Sequence, residues 1–323
     1  MQQKTHHKII NYIKKRGQAT GNELANSLDI SDRAVRKQLS KMIESNILIK
    51  IGKPPKVFYM LKDNQVKQEI NLDKKIADLI NENYLIITPM GKKLEGVEGF
   101  VFWCQKNNLP IEKTAKEYIQ THKKYQKYKK NKLIDGMAKF KNSFDKVYLN
   151  KIFYLDFYSI ERFGKTKLGQ MLLYGKQSGN RKLIKNIVDI IKPSLNILLA
   201  KYKFDAIGYI PWTVKREVQF MKQLEKQLDL PFKTIIIDKA KTDIIVPQKT
   251  LSKINDRIAN AKQTLVVRSS QQYKTVLLID DAVGSGATLN EVAKQLKRKK
   301  IAKKVIGLAI TGSFKGFDII SEI

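Results

Sequence analysis

The stretch KTVLLIDDAVGSGATLNEVAKQL, residues 274–296, constrains the fold more than any other part of the chain. The apolar run Thr275–Ile279 predicts a buried strand, and two acidic residues, Asp280 and Asp281, follow it directly. A loop of small residues comes next, and a helix is expected to begin near Leu289. A strand, a glycine-rich loop and a helix in this order are typical of α/β sheets, which bind ligands at the carboxyl ends of their strands.

The residue types in this loop favour a ligand that carries both a phosphate and a sugar. Glycines let backbone N–H groups approach an anion, and the start of a helix adds partial positive charge. Ser285 and Thr288 supply hydroxyl donors, while the acid pair suits the diol of a ribose on the same molecule. A Rossmann nucleotide loop and a chance glycine-rich turn are the alternatives, and the paired aspartates before the loop argue against both.

Four short apolar runs in the second half of the chain alternate with helical or loop stretches: FDAIGYIP, FKTIIID, TVLLIDD and KKVIGLAI. This alternation predicts an α/β domain with a parallel sheet covered on both faces. The stretch KVYLNKIFYLDFYSI reads as a hairpin that turns at Asn150–Lys151, and the region around Pro193 reads as helical on either side of the proline.

Residues 4–61 have the pattern of three helices and a β-hairpin. Gly17 ends the first helix, and Thr20 and Ser31 are N-caps for the second and third. The runs ILIKIG and KVFYML, on either side of a Lys-Pro-Pro tip, predict the hairpin. This order resembles that of the winged helix-turn-helix superfamily.

The resemblance implies that the third helix enters the major groove of DNA and that the hairpin forms a wing. The expected DNA-binding residues are Arg33, Arg36, Lys37 and Ser40 on that helix and Lys53 and Lys56 on the wing. Thirteen Lys and Arg against four acidic residues over residues 1–62 favour DNA over the alternative, a winged helix that binds only protein.

The region 63–145 is predicted to be mostly helical and basic. Eight lysines lie between Lys113 and Lys132, opposed within that stretch only by Glu117. Tyrosines among these lysines could stack on single-stranded nucleic acid. Alternatively, Tyr118, His122 and Tyr125 form a buried helical stripe while the lysines extend outward, and this second interpretation is the more frequent outcome.

The acid pair and loop of residues 276–289 resemble the phosphoribosyl pyrophosphate (PRPP) motif of type I phosphoribosyltransferases. The resemblance implies that Asp280 and Asp281 hold the ribose 2- and 3-hydroxyls. It also implies that one loop wraps the 5-phosphate, namely Ala282, Val283, Gly284, Ser285, Gly286, Ala287 and Thr288. Where many members have Thr-Thr-Gly in this loop, this chain has Gly284-Ser285-Gly286, which keeps a hydroxyl donor.

Residues 165–312 further resemble the ComF-like branch, through the stretches LLYGKQSGNRKLIKNIV, GYIPWTVKREVQFMKQLEKQL and PQKTLSKINDRIANAKQTLVV. This resemblance implies a pyrophosphate loop near Pro211, Trp212 and Thr213, with Lys215 or Arg216 as cations and Mg²⁺ bound with PRPP. It also implies that Arg257, on a mobile segment at 239–265, closes on the leaving group, so that Asp280, Asp281 and Arg257 are the candidate catalytic residues. The chain departs from the branch at Gln219-Phe220-Met221-Lys222 and lacks its cysteine zinc finger.

Bulk composition narrows the class of protein further. Sixty-two Lys and Arg against thirty Asp and Glu give a net charge of +32, which favours polyanionic partners, although lysine is spread along the whole chain. One cysteine, Cys104, excludes an internal disulfide and argues against a structural zinc. The absence of an apolar leader or membrane-length run predicts a cytoplasmic protein with no membrane partner.

These observations predict three regions: a winged helix-turn-helix domain at 1–62, a basic helical region at 63–145 and a PRPP-binding domain at 146–323. The expected function is a DNA-binding transcriptional regulator that senses PRPP or a related phosphorylated nucleotide, and winged-helix regulators are commonly homodimers. The alternatives are an active ComF-like phosphoribosyltransferase that uses a nucleobase or amine, and a factor in DNA uptake or competence.

Overall fold

The computed structural model describes residues 5–62, 72–212, 214–240, 246, 250–269 and 271–313. The chain forms two compact units, Met1–Asn71 and Leu72–Ile323. Each unit has its own hydrophobic core.

The described part of the N-terminal unit contains three helices and a two-stranded antiparallel hairpin: α1 Thr5–Arg16, α2 Gly21–Leu28, α3 Asp32–Glu44, β1 Leu48–Lys53 and β2 Lys56–Leu61. Its core consists of apolar residues at helical spacing, among them Ile9, Ile13, Leu24, Val35, Leu39 and Met42. The predicted winged-helix arrangement is confirmed.

Capping residues fix where the helices of this unit begin. The Thr20 hydroxyl accepts from the Glu23 N–H (3.2 Å), and the Glu23 carboxylate accepts from the Thr20 N–H (2.7 Å), which is a capping box. The Ser31 hydroxyl accepts from the Ala34 N–H at the start of α3 (3.3 Å). Ala19 and Tyr59 exchange backbone hydrogen bonds, so the segment before α2 is tied to the hairpin.

The second unit begins with a helical portion and continues as alternating strands and helices. The first portion comprises α4 Lys74–Asn83, β3 Leu85–Ile87, β4 Lys93–Glu95, α5 Gly96–Lys106, α6 Ile111–Gln126, β5 Lys129–Lys130, β6 Leu133–Asp135 and α7 Met137–Ser143. The second comprises β7 Lys151–Phe157, a 3₁₀ turn Glu161–Phe163, α8 Lys167–Ser178, α9 Arg181–Lys201, β8 Ala206–Tyr209, α10 Phe220–Leu228, β9 Lys233–Lys239, α11 Ile254–Thr264, β10 Leu265–Arg268, β11 Tyr273–Val283, α12 Ala287–Arg298 and β12 Ala302–Gly312.

In the described residues, eight of these strands form one sheet in the order β10-β9-β8-β11-β12-β7-β6-β5. The five strands from β9 to β7 are parallel to one another, and β10, β6 and β5 are antiparallel additions at the two edges. The predicted α/β domain with a mostly parallel sheet is therefore confirmed.

The hairpin predicted at Asn150–Lys151 is wrong. Asn150 instead lies directly before the single strand β7, which pairs in parallel with β12. The Asn150 N–H donates to the Val305 carbonyl (2.8 Å), and the Asn150 side-chain oxygen accepts from the Val305 N–H (2.9 Å). An Asn-Lys pair between apolar runs looks like a turn, but here the asparagine side chain substitutes for a ladder partner at the strand end.

Side chains along each strand point alternately to the two faces of the sheet, and helices cover both faces. Val276 and Leu278 of β11 belong to one core, and Leu277 and Ile279 belong to the other. The first core also contains residues of α4, α5 and α6, such as Ile80, Phe100 and Tyr118, so the described helices after residue 72 pack as part of the sheet unit.

None of the described helices has the length and apolar character needed to cross a membrane.

Candidate functional site

The order of the strands marks one position on the sheet as the natural place for a ligand. The connection from β8 through α10 leads to β9 on one side, whereas β11 and α12 lie on the other side of β8. The loops that leave β8 and β11 therefore diverge and open a crevice at their carboxyl ends. This crevice is the topological switch point at which open α/β sheets bind ligands.

The acid pair lies in this crevice, inside β11 and not after it. The strand continues to Val283, because Asp280 and Ala282 still pair with Ala309 and Thr311 of β12. The Asp280 carboxylate accepts a hydrogen bond from the N–H of Asp281 (2.8 Å). Both side chains are half-buried and are held by the rigid central strand of the sheet.

The loop after the acid pair has the conformation that glycine permits. Gly286 has φ +83° and is the N-cap of α12, which begins at Ala287, two residues before the predicted start. The buried Ser285 hydroxyl accepts from the Ala287 N–H (3.3 Å). The Ala287 N–H is therefore already engaged, whereas the N–H groups of Thr288 and Leu289 in the same first turn have no acceptors within the helix and can donate to an anion.

A cavity of about 230 Å³ joins the acid pair to the loop after β8. Of the residues predicted to bind PRPP, those that line it are Asp280, Asp281, Ala282, Thr288, Pro211 and Trp212. The Val283 side chain is instead buried in the core, and Ser285 and Ala287 are also buried. Val283, Ser285 and Ala287, like Gly284 and Gly286, can therefore offer their backbone groups to a ligand more readily than their side chains.

Lys176 of α8 forms an ion pair with the acid pair. Its Nζ lies 2.6 Å from Oδ2 of Asp281, and both residues line the cavity. Burial and the neighbouring Asp281 carboxylate raise the pKa of Asp280, whereas Lys176 and the Asp281 N–H act to lower it.

The loop after β8, in which the sequence predicted a pyrophosphate-binding segment, forms part of the cavity wall. Trp212 lines the cavity, and the Lys222 ammonium lies 4.9 Å above the centre of its ring. Arg216 also lines the cavity and donates to the Gln177 carbonyl (3.4 Å). Thr213 lies outside the described residues.

Beyond Trp212 the cavity continues into a wider groove of about 920 Å³. Its lining includes Lys215, Arg216 and Lys222 from the loop and α10, and Lys239 from β9. Burial lowers the pKa of Lys239, which lines both spaces. Glu217, Glu225 and Asp238 also line the groove, so the cleft carries charges of both signs on the side away from the acid pair.

Arg257 is not among the described residues that line either space. It lies in α11, is 7% exposed, and its Nε donates to the Leu251 carbonyl (2.7 Å). The role in closing on the leaving group that the resemblance implies for Arg257 therefore stays a prediction. Residues 241–245 and 247–249 of the same segment lie outside the described part of the chain.

The described part of the chain contains no group of three or more histidine, cysteine or acidic side chains placed to hold a metal ion.

In the N-terminal unit, Arg33, Arg36, Lys37 and Ser40 lie on the exposed face of α3. The opposite face carries Val35, Leu39 and Met42, which are buried. Lys53 and Lys56 are paired at the tip of the hairpin, and their side chains lie outside the described residues. The predicted recognition helix therefore presents three cations on one solvent-facing surface.

The tyrosines among the lysines of residues 113–132 are mainly structural. Tyr118 is buried and packs edge-on against Tyr84 (5.6 Å between ring centres) and Phe163 (5.2 Å). Tyr125 packs edge-on against Phe157 (4.8 Å), and only Tyr128 of the three is largely exposed. These contacts support the buried-stripe interpretation for Tyr118 and Tyr125.

Residues 2–49 match a family described as winged helix-turn-helix DNA-binding. The N-terminal unit is a winged helix-turn-helix DNA-binding domain. No curated protein matches the chain significantly.

The chain has a weak likeness to a solved structure, a hypoxanthine phosphoribosyltransferase from Staphylococcus aureus. The sequence identity is 17% and the TM-score is 0.24, and the match covers 41% of this chain and 65% of that one. What the sheet unit binds must therefore be argued from its own residues.

Sequence patterns alone did not identify Lys176, Lys239 or Tyr158 as cavity residues. The sequence signal that pointed towards Lys176 was the stretch LLYGKQSGN, which resembles the ComF-like branch. Lys176 lies more than a hundred positions before the acid pair, so no local spacing links the two.

Proposed function

We propose that this chain is a transcriptional regulator that binds duplex DNA through α3 and the hairpin and binds PRPP, or a related nucleotide with a ribose 5-phosphate, in the sheet unit. The observation that supports the ligand most strongly is one of placement. The acid pair, Thr288 and the start of α12 share one cavity at the switch point of the sheet. A sugar diol and a phosphate on one molecule match the chemistry of these groups.

The charge of each group in the site determines which part of the ligand it would bind. The N–H groups at the start of α12 and the Thr288 hydroxyl would bind the 5-phosphate. The two carboxylates would accept hydrogen bonds from the ribose hydroxyls, and charge-assisted hydrogen bonds of this kind are about twice as strong as neutral ones. Trp212, Arg216 and Lys239 lie where a pyrophosphate on C1 would extend.

Magnesium fits this site as part of the ligand. Mg²⁺ prefers oxygen donors and usually keeps several waters, with its remaining ligands drawn from phosphate oxygens and one or two carboxylates. The carboxylates of the acid pair are oxygen donors of the kind that supply these one or two protein ligands. The metal would offset the charge of the pyrophosphate.

The direct test is thermal unfolding of the full chain with and without PRPP and Mg²⁺. At a ligand concentration about 100-fold above Kd, stability should rise by roughly 2.7 kcal/mol. Ribose 5-phosphate alone should stabilise less, because it lacks the pyrophosphate that would interact with Arg216 and Lys239. An unchanged melting temperature at millimolar PRPP would rule out the sheet unit as a PRPP receptor.

One observation favours a second candidate, a phosphoribosyltransferase. A groove of about 920 Å³ adjoins the cavity and shares with it the wall formed by Pro211, Trp212 and Arg216. A second substrate could enter there and attack C1 of the ribose. The assay is pyrophosphate release from PRPP in the presence of individual nucleobases and amines.

A further inference from the structure

The end of α12 and the start of β12 carry a dense group of cations. The stretch KRKKIAKK, residues 297–304, has six lysines and arginines in eight positions and no acidic residue. Lys297 is half-buried, and the other five cations are exposed. The start of β11 adds an exposed lysine that lies level with Lys303 in the parallel pairing of β11 with β12. The six exposed residues form what we call the basic cluster: Lys274, Arg298, Lys299, Lys300, Lys303 and Lys304.

The backbone that carries the basic cluster is held in place by the fold. The Ile301 N–H donates to the Leu296 carbonyl and closes the turn after α12 (2.8 Å). The Ile301 side chain is buried in the core of the sheet unit. Lys299 is tied to β10, since its Nζ donates to the Val267 carbonyl (2.8 Å). The cations are therefore presented from a fixed frame, which lowers the entropy lost when a partner binds.

The stability of α12 accounts for only part of this charge. Cations in the last turn of a helix interact favourably with the helix dipole, and Lys297 and Arg298 occupy that turn. The effect falls off within one turn. Lys274, Lys303 and Lys304 lie on strands, where no helix dipole stabilises them. Their presence beside the helix end calls for another explanation.

Mutual repulsion disfavours the basic cluster when nothing is bound to it. Like charges repel within a Debye length, which is about 8 Å at physiological ionic strength. Lys274 and Lys303 lie level on neighbouring strands, which are about 4.8 Å apart. Asp205 adds one negative charge beside Lys274, where its carboxylate accepts from the Thr275 N–H (2.7 Å). This carboxylate cannot offset six cations, so the cluster favours a partner with many negative charges.

The chemistry of the basic cluster favours duplex DNA among the polyanions. Proteins that bind single strands combine cations with aromatic rings on which bases stack. The aromatic residue beside Lys274 is Tyr273, whose ring packs partly buried against the core and whose hydroxyl donates to the Gln271 side chain (2.9 Å). The cluster thus offers cations for phosphates without a ring placed for stacking. The winged helix-turn-helix domain of the same chain also brings duplex DNA to a high effective concentration.

We propose that the basic cluster is a second duplex-binding surface, which contacts the sugar–phosphate backbone and does not read the bases. It lies at the amino ends of the parallel strands, at the opposite edge of the sheet from the acid pair. Lys274 and Asp280 are six residues apart on β11, which corresponds to about 20 Å. DNA on the cluster would leave the crevice open, so this inference does not depend on the identity of the ligand there.

The test is a salt series of fluorescence titrations of the full chain onto a mixed-sequence duplex of about 40 base pairs, roughly four helical turns. A backbone contact needs no operator sequence. Three cluster charges are removed together in the variant Arg298→Gln, Lys303→Gln, Lys304→Gln. The matched control removes one arginine and two lysines from exposed positions of α9: Arg181→Gln, Lys185→Gln, Lys192→Gln. A third variant exchanges the cluster cations but keeps their charge: Arg298→Lys, Lys303→Arg, Lys304→Arg.

The cluster variant should bind the duplex more weakly and with a smaller dependence on salt. Each lost phosphate contact reduces the slope of log Kobs against log salt concentration by about 0.9, so the three should reduce it by roughly two to three. At about 0.1 M salt its Kd should rise about tenfold or more. The α9 control and the charge-keeping variant should match the wild type. Urea unfolding should show the cluster variant to be at least as stable as the wild type, because like-charge repulsion has been removed.

A wild-type slope in the cluster variant would overturn the proposal. An equal reduction in the α9 control would also overturn it, because the effect would then come from net charge alone. If only the binding of single-stranded RNA or of phosphatidylserine vesicles fell, the cluster would serve a different polyanion and the proposal would be wrong. Should the triple variant fold poorly, Lys303→Gln alone must still lower the slope by about 0.9.

A second readout separates this inference from the proposed function. The thermal shift caused by PRPP and Mg²⁺ should be the same in the cluster variant as in the wild type, since the two sites lie at opposite edges of the sheet. If the wild type does not respond to PRPP but the slopes differ as expected, the ligand is wrong and the duplex-binding surface stands. If PRPP stabilises every protein and all slopes agree, the surface is wrong and the ligand stands.

Discussion

The ring of Phe140 lies against the backbone of Gly286, so closely that a Cβ at Gly286 would be 2.4 Å from Cζ of the ring. Phe140 is fully buried in α7, and Gly286 is the N-cap of α12. The loop proposed to bind phosphate is therefore supported from behind by a residue of the region 63–145. That region contributes directly to the shape of the site.

Gly286→Ala should destabilise the second unit and weaken PRPP binding. The substitution combines a strained φ of +83° with a clash against a buried ring, and we expect a loss of about 2–4 kcal/mol. Gly91→Ala is the control, since Gly91 has φ +77° but no heavy atom within 4 Å of the added Cβ. Urea unfolding of both variants separates the clash from the backbone strain, and equal losses would show that Phe140 does not constrain the loop.

Asp281→Asn combined with Thr288→Ala should abolish most of the stabilisation by PRPP. The two residues line the cavity from opposite ends of the loop, one beside the sugar and one beside the phosphate in the proposed orientation. The measurement is the thermal shift with PRPP and Mg²⁺. Asp189→Asn, an exposed carboxyl on α9, is the control and should respond like the wild type. Full retention of the shift in the double variant would place the ligand elsewhere.

Asp280→Asn should stabilise the ligand-free protein at neutral pH. Burial and Asp281 raise the pKa of Asp280, so the folded state holds this proton more tightly than the unfolded chain does. Stability is then lost as pH rises from the unfolded pKa of about 3.9 towards the raised folded value. The variant removes that loss while keeping an acceptor for the Asp281 N–H.

Urea unfolding at pH 4 and pH 8 checks this sign. The gain in Asp280→Asn should be near zero at pH 4 and about 1–3 kcal/mol at pH 8, together with loss of PRPP binding. A variant that is less stable than the wild type at pH 8 would contradict the assignment of Asp280 as a strained carboxylate.

Local sequence patterns correctly predicted those features that a short segment of the chain determines by itself. The caps at Thr20 and Ser31, the apolar run of β11 and the acid pair before a glycine-rich loop each specify their own backbone. The winged helix and the α/β class follow from such signals. The two-residue error at the start of α12 arises because Ala287 and Thr288 look like loop residues when their helical hydrogen bonds are not visible.

The features that the sequence could not predict depend on contacts between distant segments. Lys176 reaches Asp281 from a helix far earlier in the chain, and Phe140 supports Gly286 across an even longer separation. The antiparallel edge strand β10 attaches to β9 through tertiary pairing that its four residues do not encode. The spacing of Arg257 resembles a family pattern, but its hydrogen bond to the Leu251 carbonyl was likewise not visible from that spacing.

Arg36→Ala and Lys37→Ala should weaken duplex binding and make it less sensitive to salt. Each cation that contacts a phosphate releases about one counterion, so its loss reduces the slope of log Kobs against log salt concentration by about one. Both residues are exposed on α3, and Lys15→Ala on the exposed face of α1 is the control of equal charge. Salt-series titrations of fluorescent duplex DNA measure the slopes. Identical slopes for all variants would mean that α3 does not face the phosphates.

PRPP should change the affinity of the chain for its own promoter DNA. In a regulator the two sites are linked by a coupling free energy of about 1–3 kcal/mol, which corresponds to a five- to 150-fold change in Kd. Reciprocity requires the same DNA to change PRPP affinity by the same factor, so titrations in both directions must agree. The Asp281→Asn, Thr288→Ala variant should bind DNA normally and lose the coupling.

The same preparation decides between the regulator and the transferase. Promoter affinity is measured with and without PRPP and Mg²⁺, beside pyrophosphate release across nucleobases and amines. Coupling without turnover supports the regulator, because a bound ligand can shift an equilibrium only through its different affinity for the two states. Turnover with a promoter affinity indifferent to PRPP would make the chain a phosphoribosyltransferase whose DNA-binding domain serves another purpose. The groove beside Trp212 would then be the place to seek the acceptor, and substitutions there should change the turnover of individual bases while leaving PRPP binding intact.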